Sequence, residues 1–250
     1  MARDPAVAAA AMAAYQKDGS GPLGMVGLVS AFMPCVDFPE SEREHTKFYE
    51  IWLIDPAEPT AQFVLAPFQL LPRAGTRPKD LFSTSHPGFF ISLVSLSSYP
   101  FSRGSVHIST SDPTAAPVID SGILRHAADL ELQARHSKWM EKIAETEAMA
   151  SLPKPGGQRL HTPREITTVQ QAEELCKELV LSMYHVCGSC AMMPREDGGV
   201  LDSHLRVYGT SNVRVVDASA FPLVPRGNIQ TTVFAVAERA ADIIRQGLGQ

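Results

Sequence analysis

The sequence has few cysteines, no excess of basic charge and no long apolar run, and its first residues do not read as a secretory leader. Each absence removes a class of protein. Four cysteines in 250 residues (Cys35, Cys176, Cys187 and Cys190) are too few for a disulfide scaffold. Lys and Arg number 22 against 27 Asp and Glu, and a formal charge of −5 offers no electrostatic footprint for nucleic acid. No run of roughly 18 apolar residues is present to span a membrane as a helix. The first residues lack a basic n-region, and alanine alone is too weakly hydrophobic for a signal core, so a cytoplasmic location is the expectation. No Gly-x-Ser-x-Gly occurs, which leaves a nucleophile elbow without support.

A literal Gly-x-Gly-x-x-Gly is present, as Gly19, Gly21 and Gly24 in "KDGSGPLGMVG". A dinucleotide fingerprint needs a buried strand before it and a helix after it, whose N–H groups meet the pyrophosphate. Here the preceding "DPAVAAAAMAAYQKD" is alanine-rich and predicts a helix opened by Asp4 and Pro5 and closed by Gly19. Pro22 and further glycines follow. A helix stop leading into a loop explains the glycines without a ligand.

Cys187 and Cys190 form a C-x-x-C, "CGSC". A zinc site would want a second ligand pair and a thioredoxin-like site a strand-to-helix junction. Neither context is visible, and a tight turn with small buried side chains is expected. His45, His86, His107, His126, His136, His161 and His204 show no ligand spacing and are expected to be structural or exposed.

Four stretches read as strands, 47–55, 61–71, 88–97 and 104–110, being rich in β-branched and aromatic residues and separated by proline, glycine and serine. No helix-length segment lies between them, which favours antiparallel pairing. Helices are predicted over 126–150, with Leu130, Ala134, Trp139, Ile143 and Ala144 near one face, and over 168–185. A loop lies between them, over 153–163. A short buried strand is expected over 212–219, and a last helix over 231–246 with Phe234, Ala237, Ala241 and Ile244 on its apolar side. The fold class is therefore α+β, a mainly antiparallel sheet of about five or six strands with helices on one face. A division is expected between a domain over 1–210 and a C-terminal strand and helix over 211–250.

The tail, "YHVCGSCAMMPREDGGVLDSHLRVYGTSNVRVVDASAFPLVPRGNIQTTVFAVAERAADII", closely resembles the C-terminal signature of the glucose–methanol–choline (GMC) flavin oxidoreductases. The matching motifs are the histidine of "HVCGSC", "GGVLD", "LRV", "VDAS" and the Gly-Asn before the final helix. Upstream, Ser102-Arg103-Gly104, Asp112-Pro113, Pro117 and Ile119-Asp120 are similar to that family's substrate domain, and "GSGPL" to the loop that enters it.

The resemblance implies a catalytic role for His185 and, at a position held by His or Asn, for Asn228. It further implies that Asp217, Ala218, Asn228, Ile229 and Gln230 border an FAD. Such chemistry suits those residue types. A neutral imidazole with a pKa near ~6.5 accepts a hydroxyl proton, and an amide donates to a developing alkoxide without titrating. The family's nucleotide-binding Rossmann-like domain has no counterpart in this sequence, so weak or absent FAD binding by this chain alone is expected. The apolar sides of 211–246 then require either a homodimer or a flavin-domain partner chain. The expected function is the substrate-binding half of an FAD-dependent alcohol oxidoreductase acting on a small molecule. The alternative is a flavin-free enzyme using the same pocket for acid–base chemistry (an isomerase, lyase or cyclase) or for ligand binding.

Overall fold

A computed structural model describes residues 4–24, 29–34, 58–70, 78–81, 86, 88, 90–161 and 165–247. The strand expected over 47–55, together with Cys35 and His45, lies outside those residues. The first element is set by its ends. Asp4 accepts from the N–H groups of Ala6 and Val7, and α1 (Pro5–Asp18) begins at the proline whose missing donor costs nothing there. Gly19, at φ 73°, closes the helix by donating to the Tyr15 carbonyl. The glycine triplet thus follows a helix, not a strand.

Three strands form an antiparallel sheet in the order β1 (Val29–Met33), β2 (Ala61–Ala66), β3 (Ser92–Ser97), with Phe63 opposite both Ala31 and Ser95. A short helix, α2 (Pro78–Leu81), falls between the last two. A separate antiparallel pair, β4 (Ser105–His107) and β5 (Val118–Asp120), sets Val106 opposite Ile119. The α+β antiparallel architecture is therefore present, with the described strands divided three and two between sheets.

The helix α3 (Ala127–Glu145) organises the middle of the chain in two directions. Trp139, Met140 and Ile143 pack on Ala61 and Phe63 of the central strand. Ala134 instead meets α5 (Val169–Leu179) at Ala172 and Cys176, small contacts that let the two helices approach closely. Between them sits the short α4 (Glu147–Ala150). A reciprocal capping box opens α5, Thr168 accepting from the Gln171 N–H while Gln171 reaches back. The helix stops at Leu179, short of the expected 185, and Val180 turns to extended backbone.

What apolar periodicity did not anticipate is the polar content of the buried side of α3. Asp129, Arg135, His136 and Glu141 are all buried there. Asp129, Arg135 and Glu141 are satisfied from elsewhere in the chain or helix, and His136 is bonded at Nε2 alone. Asp129 accepts from the N–H groups of Phe101 and Ser102, at 2.9 and 2.7 Å. Arg135 donates to Glu131, and Glu141 is paired with Arg159.

The tail contains α6 (Gln230–Gly247), one helix longer by a residue at each end than expected. The short strand expected over 212–219 is not a strand. Arg214 makes a single antiparallel bridge with Arg206, and Ala218–Ala220 is a 3₁₀ turn. A strand needs a neighbour along its length, and only one residue of the segment finds one. Scattered backbone bonds hold the segment instead, Val207 N–H to the Val213 carbonyl and Val215 N–H to that of Leu205, and Val215 packs on the buried cluster of Leu201, Leu205, Ala220 and Ala240 of α6. Among the described residues no helix is long and apolar enough to cross a membrane.

Candidate active site

Two chain segments run side by side to build the site. The Cys190 N–H donates to the Ser219 carbonyl and that of Met192 to the Ala220 carbonyl, both at 2.9 Å. This lashes the 185–192 stretch to the turn at 217–220. Immediately before it, Tyr184 has φ 63°, a left-handed conformation that a bulky residue adopts only when its surroundings impose it. Its N–H is held by Ser182 Oγ at 3.0 Å. His185 follows directly on that reversal of the chain.

His185 and Asn228 are brought together although 43 positions separate them: Asn228 Nδ2 lies 3.4 Å from His185 Nε2. With the amide NH₂ as donor, Nε2 accepts as the lone-pair nitrogen and the ring proton sits on Nδ1. Partial burial, with no opposing charge, holds the imidazole below its ordinary pKa and keeps it neutral at pH 7. A basic nitrogen and an amide donor therefore converge on one spot. That is the minimum equipment for taking a hydroxyl proton while stabilising the oxygen left behind.

An open cleft of about 2460 Å³ adjoins His185 and reaches Gly227, the residue before Asn228. Its wall includes β3, the hairpin residues Val106 and Ile119, the 185–189 stretch and Gly227. Arg159, on the loop between α4 and α5, forms part of its border and chelates Glu141 with contacts of 2.8 and 2.5 Å. The lining is largely apolar, suited to a small organic substrate.

The other residues singled out by sequence are distributed as follows. Asp217 is exposed at the head of its 3₁₀ turn and accepts from the Ser219 N–H at 2.8 Å. Ala218 is half-buried beside the cleft. Ile229 is buried, whereas Asn228 and Gln230 are exposed at the start of α6. Cys187 and Cys190 are free thiols, half-buried rather than fully enclosed, and burial pushes the Cys187 thiol up. His136 is completely buried, His126 caps α3, and His161 bonds the Leu70 carbonyl at 2.8 Å. Among the described residues no group of His, Cys, Asp and Glu could hold a metal ion.

Sequence reasoning passed over Tyr99 and Arg226. Arg226 donates through Nε to Tyr99 Oη at 2.8 Å and pairs with Glu58. Arginine two residues before Asn228 in "PRGN" was the available signal.

Comparison with known proteins now bears on the arrangement. The family model described as GMC oxidoreductase matches residues 100–237, more than half the chain. The chain belongs to the GMC oxidoreductase family. Relatives include a dehydrogenase of Monascus purpureus, 35% identical over 160 residues, which are 63% of this chain and 24% of that protein. A glucose oxidase-like protein of Humicola fuscoatra is 40% identical over 150 residues, covering 59% of this chain and 25% of its own. The chain thus matches about a quarter of the length of these GMC relatives. Among solved structures, formate oxidase of Aspergillus oryzae superposes with a TM-score of 0.76 at 22% identity, covering 99% of this chain and 43% of its own. An FAD-dependent oxidoreductase of Chaetomium thermophilum gives a TM-score of 0.73 at 21% identity, covering 98% and 44%. These likenesses establish a shared fold with the C-terminal part of GMC oxidoreductases.

Proposed function

We propose that this GMC chain is the substrate-binding and proton-handling half of an FAD-dependent alcohol oxidoreductase, with the nucleotide-binding domain supplied in trans. The observation that carries the proposal is the 3.4 Å approach of Asn228 Nδ2 to His185 Nε2 beside an apolar cleft. A primary or secondary alcohol in the cleft would hand its hydroxyl proton to His185 Nε2. The Asn228 amide would then donate to the alkoxide oxygen. Neither step asks the protein to bury a full charge without a partner.

The residues fit the ring end of a flavin and not its nucleotide. Ala218 and Gly227 border the cleft, and Asn228 and Gln230 present exposed amides at the start of α6, which suit the carbonyl and ring-nitrogen edge of an isoalloxazine. Asp217 is engaged with its own turn, and the Gly19 loop follows a helix, so neither supplies a pyrophosphate cradle or ribose partner. When bound, FAD supplies the hydride acceptor. The apolar residues left exposed around the tail, Leu223 and Phe234 at 64% each, support a covering surface from the flavin domain or from a second copy.

The test is a fusion of this chain behind the nucleotide-binding half of a fungal GMC relative, assayed with benzyl alcohol. The expected result is bound FAD and alcohol oxidation that falls about 10²–10⁴-fold in His185→Ala without loss of flavin. Turnover undiminished in a flavin-loaded His185→Ala fusion would reject the assignment.

A further inference from the structure

The loop that carries Asn228 is fastened at a point away from the reacting atoms. Arg226, two residues earlier, forms an ion pair with Glu58, which precedes β2. Its Nε donates to Tyr99 Oη at 2.8 Å, and its guanidinium lies 5.2 Å from the centre of the Tyr99 ring. One planar group therefore meets a carboxylate, a phenol oxygen and an aromatic face at once, which a flexible ammonium could not do. Tyr99 itself holds φ 53°, a strained conformation for a bulky residue just beyond the end of β3. Strain of that kind persists when surrounding contacts over-determine it, and Arg226 supplies two of them.

Gly227 continues the restraint. It has φ 79°, and a Cβ there would lie 3.1 Å from the Phe32 ring of β1. The loop thus rests on one strand at Gly227 while Arg226 grips residues at the ends of two others. Asn228 is the next residue, and its amide is the one that reaches His185.

We propose that Arg226, clamped between Glu58 and Tyr99, is a positioning residue that sets Asn228 against His185. The clamp rests on the reading of His185 and Asn228 as the reacting pair, and it assigns Arg226 no contact with substrate. It turns the ends of the sheet into the frame against which the amide is aimed.

The experiment follows the His185 ring by ¹⁵N NMR titration of the chain as it stands, so that no flavin and no turnover are involved. Donation from Asn228 favours the neutral ring, and Asn228→Ala is expected to raise the His185 pKa toward its ordinary value. Arg226→Lys keeps the charge and loses the fork, and is expected to raise it as well. In the Asn228→Ala background, Arg226→Lys is expected to add nothing, because its effect passes through the amide. A direct electrostatic influence of Arg226 would instead persist in that background, and would overturn the proposal. So would a His185 titration unmoved by Arg226→Lys. Should that variant fail to fold, Tyr99→Phe keeps the ring and removes only the acceptor. A His185 shift in the same direction supports the clamp, and an unchanged titration overturns it. Failure here leaves the dependence of the flavin-loaded fusion on His185 untouched, and an inactive fusion leaves this titration intact.

Discussion

Thr60 Oγ1 lies 3.1 Å from His136 Nε2, joining the start of β2 to the centre of α3 inside the core. His136 has no exposed surface, its Nδ1 has no partner among the described residues, and its ring meets that of Phe63 in a T-shaped contact, 6.0 Å between centroids. Burial depresses its pKa to about 3, so the ring is neutral at pH 7.

The unfolded chain protonates this residue near pH ~6.5, while the folded chain resists until far lower. Between those values the unfolded state holds one more proton. Stability is therefore expected to fall as pH drops from about 6.5 toward 3, with His136 contributing up to ~1.4 kcal/mol per pH unit. Urea titrations from pH 7 to 4.5 would read this slope. His136→Gln, which keeps an acceptor for Thr60, should flatten it by close to one proton.

Arg159 and Glu141 make a second prediction. Glu141 also accepts from the Ile166 N–H at 3.2 Å, so its carboxylate holds the loop between α4 and α5 at its middle and near its far end. Its side chain is only 11% exposed, against 43% for Arg159. Arg159→Ala leaves a largely buried carboxylate without its cation, and a loss of about 1–3 kcal/mol is expected after allowing for solvent on the arginine side. Arg159→Ala combined with Glu141→Gln should recover part of it in thermal denaturation.

A third concerns the pH dependence of turnover in the flavin-loaded fusion. A base must be unprotonated to act, and burial lowers the His185 pKa. The acid limb of kcat/KM is expected to have its midpoint below pH ~6.5, with activity rising as pH increases through it. A limb centred well above that value would assign the titration to another group.

Cys187 supplies the fourth. Its thiol is pushed up by burial, with Arg103 only partly opposing, so little thiolate exists at neutral pH. Iodoacetamide should label it more slowly than free cysteine at pH 7.5, and the rate should still be climbing at pH 9. Rapid labelling at neutral pH would mean an activated thiol beside His185.

Local chemistry made some elements legible and left others out of reach. The bounds of α1 follow from Asp4, Pro5 and Gly19, which act within a few residues of themselves. The same holds for Thr168 and Gln171 at the head of α5. The 212–219 segment failed as a strand because strand identity depends on a partner, and among the described residues Arg214 makes a single bridge, to Arg206. The buried polar side of α3 was illegible for a related reason. Nothing local marks Asp129 and Glu141 as buried, and His136 could be expected only to be structural or exposed, until Phe101, Arg159 and Thr60 arrive to meet them. The site was legible only through the motif order of the tail. Periodicity gives no hint that His185 and Asn228 meet, and none that Arg226 meets Tyr99.

Tyr99 and Arg226 are 127 positions apart, and that separation carries a consequence for the order of assembly. Closing so long a segment costs chain entropy that only prior structure can reduce, and α3 packed on α5 lies within it. The helix pair is thus expected to form early in refolding and the Arg226 contact late. Read in reverse, the carrier of Asn228 is among the first parts to come away. The cleft can then open by local unfolding while the helix pair stays folded, which hydrogen exchange would record as early loss of protection at the start of α6.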